Sequence, residues 1–175
     1  MGQSDALLLG IDIGTSGCKT VVVDEEGSLA ARSYAEYELY SDGHGRSEQE
    51  PQDWWNAVQQ TIRDIMHRHP EFRGRLRGIG LSGQMHGLVP LDQHHRVIRR
   101  SILWNDQRSE PQCVYIHEKV GGVEGLLRIT NNRMLPGYTG GKILWLRENE
   151  PENYARMRWF VNPKDYIRLC LTGAL

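Results

Sequence analysis

The first forty residues contain a strand, turn and strand pattern that restricts the fold more than any other part of the sequence. The apolar run Leu7–Ile13 leads into a glycine turn at Gly14–Gly17, and Thr20–Val23 follows before the polar turn Asp24–Gly27. Short apolar runs bounded by glycine and charged residues are typical of β-strands joined by tight turns. Ser28–Leu39 partly alternates apolar and polar residues, which predicts a third strand. We therefore expect three successive antiparallel strands.

An amphipathic helix and a further strand are predicted next. Pro51 stands where a first helical turn would begin, and the apolar residues after it recur at spacings of three and four. These residues are Trp54, Val58, Ile62, Ile65 and Met66. The apolar segment Leu76–Leu81 predicts a fourth strand, followed by a loop over Ser82–Gly87. The apolar face of the helix is expected to pack on the sheet.

The rest of the chain is predicted to alternate short strands and helices. The expected elements are a hairpin of Leu88–Leu91 with Val97–Leu103, helices over Ser109–Val120 and Gly141–Arg147, a strand at Trp159–Val161, and a helix from Pro163 to about Gly173. No repeat, low-complexity tract or linker interrupts the sequence, so residues 1–175 are expected to behave as one domain.

Charge and composition exclude several classes of protein. The 175 residues include 21 Lys plus Arg and 22 Asp plus Glu, a net charge of -1, so no basic field favours a nucleic-acid or membrane partner. No apolar run approaches the ~20 residues of a membrane span, and the first residues do not resemble a secretory signal. Cys18, Cys113 and Cys170 lie far apart and match no zinc spacing, which indicates reduced thiols. We expect a cytoplasmic protein.

A carboxylate and a glycine turn near the N terminus form the first candidate site. Asp12 lies near the end of an apolar strand, where its charge is unfavourable unless a cation or a donor compensates it. The turn Gly14–Gly17 carries two glycines and two hydroxyls, and Lys19 adds positive charge nearby. This combination suits a phosphate, although a plain hairpin turn explains the same residues. The pattern is not a G-x-x-x-x-G-K-[ST] loop.

The segment Gly78–Gly83 matches G-x-G-x-x-G, the pattern of dinucleotide-binding loops. Its first two glycines fall inside the predicted strand, and no helical pattern follows it. Because a dinucleotide loop needs a helix N terminus directly after the turn, we do not predict such a site. Glycines within a strand more often permit close approach of another backbone or a ligand.

Two polar strings follow predicted strands and form a second candidate site. One contains Gln84, Met85 and His86, and the other begins with Trp104, Asn105 and Asp106. Open α/β sheets bind ligands at strand ends, and an aromatic side chain can stack on the apolar face of a sugar. A solvated loop explains the first string equally well, and a helix cap explains the second.

Four segments together are similar to the FGGY family of carbohydrate kinases. In chain order they are LLLGIDIGTSGCKTVVVDEEG, GIGLSGQMHGLVPLD, SILWNDQRS and NPKDYIRLCLTG. The resemblance implies an α/β, ribonuclease-H-like (actin-like ATPase) fold with a mixed sheet, three antiparallel leading strands and flanking helices. The Gln-Met-His-Gly and Trp-Asn-Asp-x-Arg strings resemble those of members that phosphorylate a ketopentose, D-xylulose. A non-catalytic sugar-binding module, or a kinase for another sugar such as ribulose or gluconate, remains the alternative.

The same resemblance implies roles for the candidate residues, with ATP and Mg²⁺ as cofactors. Asp12 would hold Mg²⁺ through water. The phosphates would face Gly14, Thr15, Ser16 and Lys19, where some family members have Arg instead of this lysine. The sugar would contact Gln84, Met85, His86, Trp104, Asn105 and Asp106.

Length sets this chain apart from the family it resembles. Family members are much longer, and their second phosphate loop, adenosine-binding segment and catalytic Asp are expected beyond Leu175. We therefore expect residues 1–175 to be the truncated N-terminal domain, with no catalytic base in this chain. The expected partners are a sugar, the missing C-terminal domain and, for the fragment, a second copy in a homodimer.

Overall fold

Strands predominate in the first part of the chain and helices in the last, as seen in a computed structural model that describes residues 6–175. The strands are β1 (Leu7–Ile13), β2 (Gly17–Asp24), β3 (Leu29–Glu36), β4 (Tyr40–Ser41), β5 (Ser47–Gln49), β6 (Leu76–Gly83), β7 (Val89–Leu91), β8 (Ser101–Ile102) and β9 (Trp159–Val161). The helices are α1 (Pro51–Arg68), α2 (Glu110–Lys119), α3 (Gly122–Thr130), α4 (Thr139–Asn149), α5 (Pro151–Arg156) and α6 (Pro163–Thr172), with a 3-10 turn at Pro70–Phe72. None of the helices described is long and apolar enough to cross a membrane.

The described residues form two compact units, each assembled from separate stretches of chain. The first unit contains the residues up to Glu38, Gln52–Gln84 and Pro163–Leu175. The second contains Leu39–Pro51 and Met85–Asn162. The sequence predicts one domain because no glycine- or proline-rich linker separates the units where the chain passes from one to the other. The expectation about a secretory signal rests partly on residues 1–5, which lie outside the described residues.

The first unit contains the predicted antiparallel meander. β1 pairs with β2 from Leu7 opposite Asp24 to Ile13 opposite Cys18, and β2 pairs with β3. β6 lies parallel to β1 on its other side, which gives the order β3-β2-β1-β6. The three leading strands and the fourth strand are therefore confirmed.

One face of this sheet is covered by helices. Leu9, Ile11 and Ile13 alternate with exposed residues along β1 and are almost fully buried, as are Trp54 and Val58 of α1. The ring of Trp54 meets Tyr166 of α6 edge to face, with centroids 6.4 Å apart. Burying each large apolar side chain contributes about 1.5–3 kcal/mol, so this packed layer fixes the sheet and leaves its other face available.

A polar contact also joins α1 to the sheet. The Thr20 and Thr61 hydroxyls are fully buried and lie 2.7 Å apart, and Thr61 also donates to the carbonyls of its own helix. Pairing the hydroxyls removes the cost of burying them alone. Cys18 lies nearby, and all three cysteines are free, as the sequence predicts.

The second unit contains two small sheets and four helices. β4, β5 and β8 form one antiparallel sheet, and β7 pairs with β9 in the other. Leu88, Ile102, Trp145 and Leu146 form a buried apolar cluster. The predicted polar strings lie in two loops. One follows β8 of this unit, and the other follows β6 of the first unit in the sequence.

The predicted hairpin of Leu88–Leu91 with Val97–Leu103 forms only in part. Single bridges join Leu88 to Ile102 and Leu91 to Val97. β7 instead takes β9 as its ladder partner, and β8 pairs with β5. Both partners are distant in the sequence, so local alternation could not identify them.

Two helices, α3 and α5, and the strands β4 and β5 were not predicted. Gly121 and Gly122 end α2 with φ angles of 84° and 78°, as expected, but α3 begins directly at Gly122. Gly125 makes this possible, since a Cβ there would overlap the Val120 carbonyl oxygen. The chain can turn this tightly between α2 and α3 only because Gly125 has no side chain. Hydrophobic periodicity does not detect such a requirement.

Candidate functional site

The uncovered face of the four-stranded sheet carries a pocket of about 360 Å³. β1 contributes Gly10 and Asp12 to it, β2 contributes Lys19, and β6 contributes Gly80 and Ser82. Asp12 is exposed and stands opposite Lys19 in the antiparallel pair and opposite Ser82 in the parallel pair. Residues directly opposite in a sheet present their side chains on the same face. A carboxylate, an ammonium group and a hydroxyl therefore share one open surface.

Glycine keeps this pocket open. A Cβ built on Gly80 meets no atom within 4 Å, so a side chain there would occupy the pocket. All of Gly78–Gly83 lies within β6, and the next described helix begins only at Glu110. The two structural expectations for this G-x-G-x-x-G segment are therefore confirmed: its glycines lie inside a strand, and no helix follows the strand directly.

The turn between β1 and β2 is held by its backbone and by two side chains. The Gly14 N–H donates to the Gly17 carbonyl at 3.1 Å. The Gly14 carbonyl accepts from the Tyr37 hydroxyl at 2.5 Å and from Gln84 Nε2 at 3.4 Å. Burial raises the pKa of Tyr37, with further increases from neighbouring acidic groups, so the hydroxyl keeps its proton and donates. The structure thus places the Gln84 side chain beside this turn in the first unit.

The same turn carries side chains that suit a phosphate. Thr15 and Ser16 have hydroxyls at the turn, and Lys19 is exposed on the adjoining strand. Gly17 has no room for a side chain, because a Cβ would lie 2.6 Å from the Ala35 carbonyl oxygen. The geometry is compatible with a phosphate held by hydroxyls and one ammonium group.

Asp12 supplies the carboxylate of this pocket. Among residues 6–175, no group of three His, Cys, Asp or Glu side chains is arranged to hold a metal ion. Mg²⁺ usually keeps several waters and is held by one or two carboxylates together with substrate phosphates. A single exposed carboxylate beside an open pocket fits a magnesium ion of that kind.

A second pocket, of about 390 Å³, lies within the second unit. Its lining comes from the loop after β6, the loop after β8 and the segment before α4, and includes Met85, His86, Trp104, Asn105, Gln107 and Leu135–Tyr138. Met85 is 62% exposed and Trp104 is 43% exposed, so apolar area is accessible to a ligand. The structure brings together four of the predicted sugar-contacting residues: Met85, His86, Trp104 and Asn105.

Asp106 is not among the residues lining this pocket. It is fully buried, and its carboxylate accepts hydrogen bonds from the Ser47 N–H at 2.7 Å and from the backbone and guanidinium of Arg108 at 2.7–3.0 Å. Arg108 also pairs with Glu48 at 2.7 Å. Burial acts to lower the pKa of Arg108, but Asp106 and Glu48 raise it above its usual value. The sugar contact of Asp106 stays a prediction, and this geometry favours a supporting role.

His86 occupies a constrained position in the pocket wall. Its φ is 56°, in the left-handed region that residues other than glycine seldom adopt. Its ring packs against Tyr138 with centroids 4.6 Å apart. Burial, and then the positive charge of Lys142, lower the pKa of His86 below its usual value. The imidazole is therefore neutral at pH 7, with one nitrogen that donates and one that accepts.

The third wall of the pocket, Leu135–Tyr138, was not predicted from the sequence. Pro136 and Gly137 mark a turn, which could have identified a loop but not its neighbours. Gly137 approaches the chain so closely that a Cβ would lie 2.5 Å from the Trp104 carbonyl oxygen. The Ser109 hydroxyl also donates to the Pro136 carbonyl at 3.1 Å. These contacts join distant parts of the sequence.

This chain is similar in sequence to known carbohydrate kinases. A profile described as the FGGY family of carbohydrate kinases, N-terminal domain, matches residues 7–175. The xylulose kinase of Bacillus subtilis strain 168 is 42% identical over 168 residues, which are 96% of this chain and 33% of that relative. The chain thus spans about a third of the length of the curated relatives it matches.

Solved structures give the same result. A xyloylose kinase from Brucella ovis is 39% identical, with a TM-score of 0.90 over 95% of this chain and 34% of that one. A gluconate kinase from Lactobacillus acidophilus is 29% identical, with a TM-score of 0.87 over 97% of this chain and 34% of that one. The predicted α/β, ribonuclease-H-like fold with a mixed sheet and flanking helices is confirmed.

Proposed function

This chain belongs to the FGGY family of carbohydrate kinases, and on that premise we propose that it is the N-terminal part of a kinase that phosphorylates D-xylulose. In this reaction the γ-phosphoryl group of ATP moves to the terminal hydroxyl oxygen of the sugar, giving D-xylulose 5-phosphate and ADP. One observation carries the proposal. Met85, His86, Trp104 and Asn105 line a single pocket in a chain that is 42% identical to a xylulose kinase.

The pocket in the second unit provides the chemistry that a ketopentose needs. Trp104 offers an exposed aromatic surface for the apolar side of the sugar, and Asn105 offers an amide that both donates and accepts. The neutral His86 ring can hydrogen-bond to a hydroxyl in either direction. Asp106, held by Ser47 and Arg108, would fix the loop that carries Trp104 and Asn105.

The pocket in the first unit would take the phosphates and the metal. Asp12 would hold Mg²⁺ through water, and Thr15, Ser16 and Lys19 would contact phosphate oxygens. Bound Mg²⁺ would neutralise charge on the phosphates. Gln84, bonded to the Gly14 carbonyl, would keep the turn in place.

The rest of the active site would come from chain beyond Leu175. A general base must accept the hydroxyl proton, and Asp106 is a poor candidate because it is buried and bonded to Arg108. We therefore assign the base and the adenosine site to the C-terminal part of the complete protein. Relatives three times as long support this assignment.

An open edge of the first unit supports the same conclusion. β6 lies at the end of the sheet order, and Ile79 on it is 52% exposed. Ile79 and Leu81 line a groove of about 410 Å³ with Leu171 of α6. We assign this groove to the polypeptide that follows Leu175 in the complete protein. In the isolated fragment an exposed apolar groove favours self-association, so a homodimer of the fragment is expected.

A gluconate kinase among the similar structures favours a second candidate substrate. Its TM-score of 0.87 is close to that of the xyloylose kinase, so backbone shape does not separate the two sugars. A polyhydroxylated acid carries a carboxylate, whereas D-xylulose is neutral. The substrate panel below distinguishes these alternatives and the non-catalytic module. The cytoplasmic location stays a prediction.

The test is a coupled ADP-release assay on the complete gene product with ATP, Mg²⁺ and a panel of D-xylulose, D-ribulose, D-gluconate and glycerol. We expect the highest kcat/KM with D-xylulose, and no turnover by residues 1–175 alone because they lack the base and the adenosine site. A higher kcat/KM with another sugar would contradict the proposal that D-xylulose is the substrate. Absence of turnover with every sugar would contradict the kinase, and turnover by residues 1–175 would contradict the division of the active site.

A further inference from the structure

Lys142 is a charged residue in the interior of the second unit. It lies on α4, close to the buried Trp145 and Leu146, and its side chain is fully buried. Burying an ammonium group is costly unless hydrogen bonds replace its water. Lysine is seldom fully buried for this reason, so the groups around Lys142 must compensate its charge.

The ammonium group donates to two carbonyls from different parts of the chain. Lys142 Nζ lies 2.7 Å from the His86 carbonyl oxygen and 2.7 Å from the Gly137 carbonyl oxygen. The Thr139 hydroxyl donates to the same His86 carbonyl at 3.2 Å. His86 and Gly137 belong to two walls of the second pocket. One side chain thus joins the loop after β6 to the loop before α4.

Both loops have backbone that needs such support. His86 has a φ of 56°, a conformation that is unfavourable for a residue with a side chain and persists only where surrounding contacts hold it. Gly137 lies against the backbone of Trp104, which belongs to the loop after β8. Without Lys142, the Gly137 carbonyl would lose this donor and the His86 carbonyl would keep only the longer hydrogen bond from Thr139.

We propose that Lys142 is a positioning residue for the sugar pocket, whose ammonium group holds the His86 and Gly137 carbonyls and so sets the spacing between the two walls. The inference rests on the proposed function, because it takes the pocket to be the sugar site. Lys142 is buried and is not among the residues that line the pocket. It therefore acts through His86 and Gly137 and not by contact with the substrate.

The groups around Lys142 make its charge sensitive to pH. Burial lowers its pKa from 10.5 to about 8; Asp106 and Cys113 act to raise it, and Arg108 acts to lower it. His86 faces it from the pocket side, and its own pKa is lowered in part by Lys142. As pH rises through about 8, the ammonium group loses its proton and its hydrogen bonds to the two carbonyls weaken.

Stability should change in the opposite direction. Between the folded pKa of about 8 and the unfolded value near 10.5, the unfolded state binds more protons at Lys142 than the folded state does. This group's contribution to the free energy of unfolding therefore rises with pH across that window. Sugar binding should weaken while this contribution to stability grows, a pair of trends that a general loss of structure does not produce.

The test compares Lys142→Met with wild type in the complete gene product, and uses Lys119→Met, an exposed lysine of α2, as the matched control. For Lys142→Met we expect KM for D-xylulose to rise by about tenfold or more, with KM for ATP and kcat within about twofold. Wild-type KM for the sugar should rise between pH 7 and 9.5, and the variant should lack this rise. Thr139→Val, which removes the weaker donor, should give a smaller effect.

A second readout needs no enzymatic activity. NMR titration of the His86 ring should give a higher pKa in Lys142→Met than in wild type, because a nearby positive charge is removed. If Lys142→Met does not fold, the wild-type pH profile and Thr139→Val carry the test. An unchanged sugar KM, an unchanged His86 pKa, or an equal loss in kcat and both KM values would overturn the proposal. If wild type prefers another sugar, the same comparison is made with that sugar.

Discussion

Asp12 and Lys19 put opposite charges side by side on an exposed face of the sheet. Both side chains are exposed, and the strands that carry them are fixed by the buried residues between them. An exposed pair of this kind contributes at most about 1 kcal/mol to stability. Removing one of the charges should therefore leave the fold intact, which separates a role in chemistry from a role in folding.

Asp12→Ala in the complete gene product should lower kcat by about a hundredfold or more and leave KM for the sugar nearly unchanged. Phosphoryl transfer depends on positioning and charge stabilisation at the phosphates, and the sugar pocket does not contain Asp12. The measurement is steady-state kinetics with each substrate varied. Glu26→Ala, in the exposed turn after β2, is the control and should behave as wild type. Equal turnover in Asp12→Ala would remove Asp12 from the site.

The burial of individual side chains could not be predicted from the sequence. Trp104, Asn105 and Asp106 are consecutive, yet the first two are exposed and the third is fully buried. An irregular loop has no fixed alternation of side chains, so spacing locates the string without showing which residue turns inward. Lys142 was missed because a lysine within a helical pattern predicts an exposed position.

At the scale of elements, the second pocket depends on a loop between two helices. Leu135–Tyr138 is fixed by the Ser109 hydroxyl on Pro136, by Lys142 on Gly137 and by close contact of Gly137 with Trp104. The loop is therefore held from three directions although it has no regular structure. Small changes in its backbone should alter the pocket directly.

Gly137→Ala should raise KM for the sugar and lower the free energy of unfolding by about 1–3 kcal/mol, because its Cβ would lie 2.5 Å from the Trp104 carbonyl oxygen. Gly140→Ala is the matched control. Its Cβ would meet only the flexible end of Met134, at 3.2 Å, and alanine favours the helix there. Urea denaturation and steady-state kinetics check both variants. Equal behaviour of the two variants would show that the Gly137 contact is unimportant.

The elements predicted correctly are those that local pattern controls. The meander of β1, β2 and β3 follows from apolar runs broken by glycine turns, and α1 follows from apolar residues at helical spacing. The pairing of β7 with β9 joins residues about seventy positions apart, and no local signal selects it. Only the two polar strings of the pocket could be predicted. The third wall, Leu135–Tyr138, is placed beside them by similar long-range contacts, which no local pattern reveals.

For the whole molecule, the two candidate sites belong to different units. Asp12, Lys19 and the glycine turn lie in the first unit, whereas the sugar-pocket residues lie in the second. The second unit consists of two stretches, Leu39–Pro51 and Met85–Asn162, which interrupt the first unit in the sequence, and it carries its own pocket. Candidate residues of both sites could be identified from the sequence, whereas the division into two units could not, since the passages between the units have no linker composition.

The most direct test of the account is a crystal structure of the complete gene product with D-xylulose bound. We predict that the sugar occupies the pocket of the second unit, stacked on Trp104 and hydrogen-bonded to Asn105 and His86, with Met85 against it. In the sugar complex, Lys142 should bridge the His86 and Gly137 carbonyls as it does here. A sugar bound elsewhere, with this pocket empty, would contradict the account.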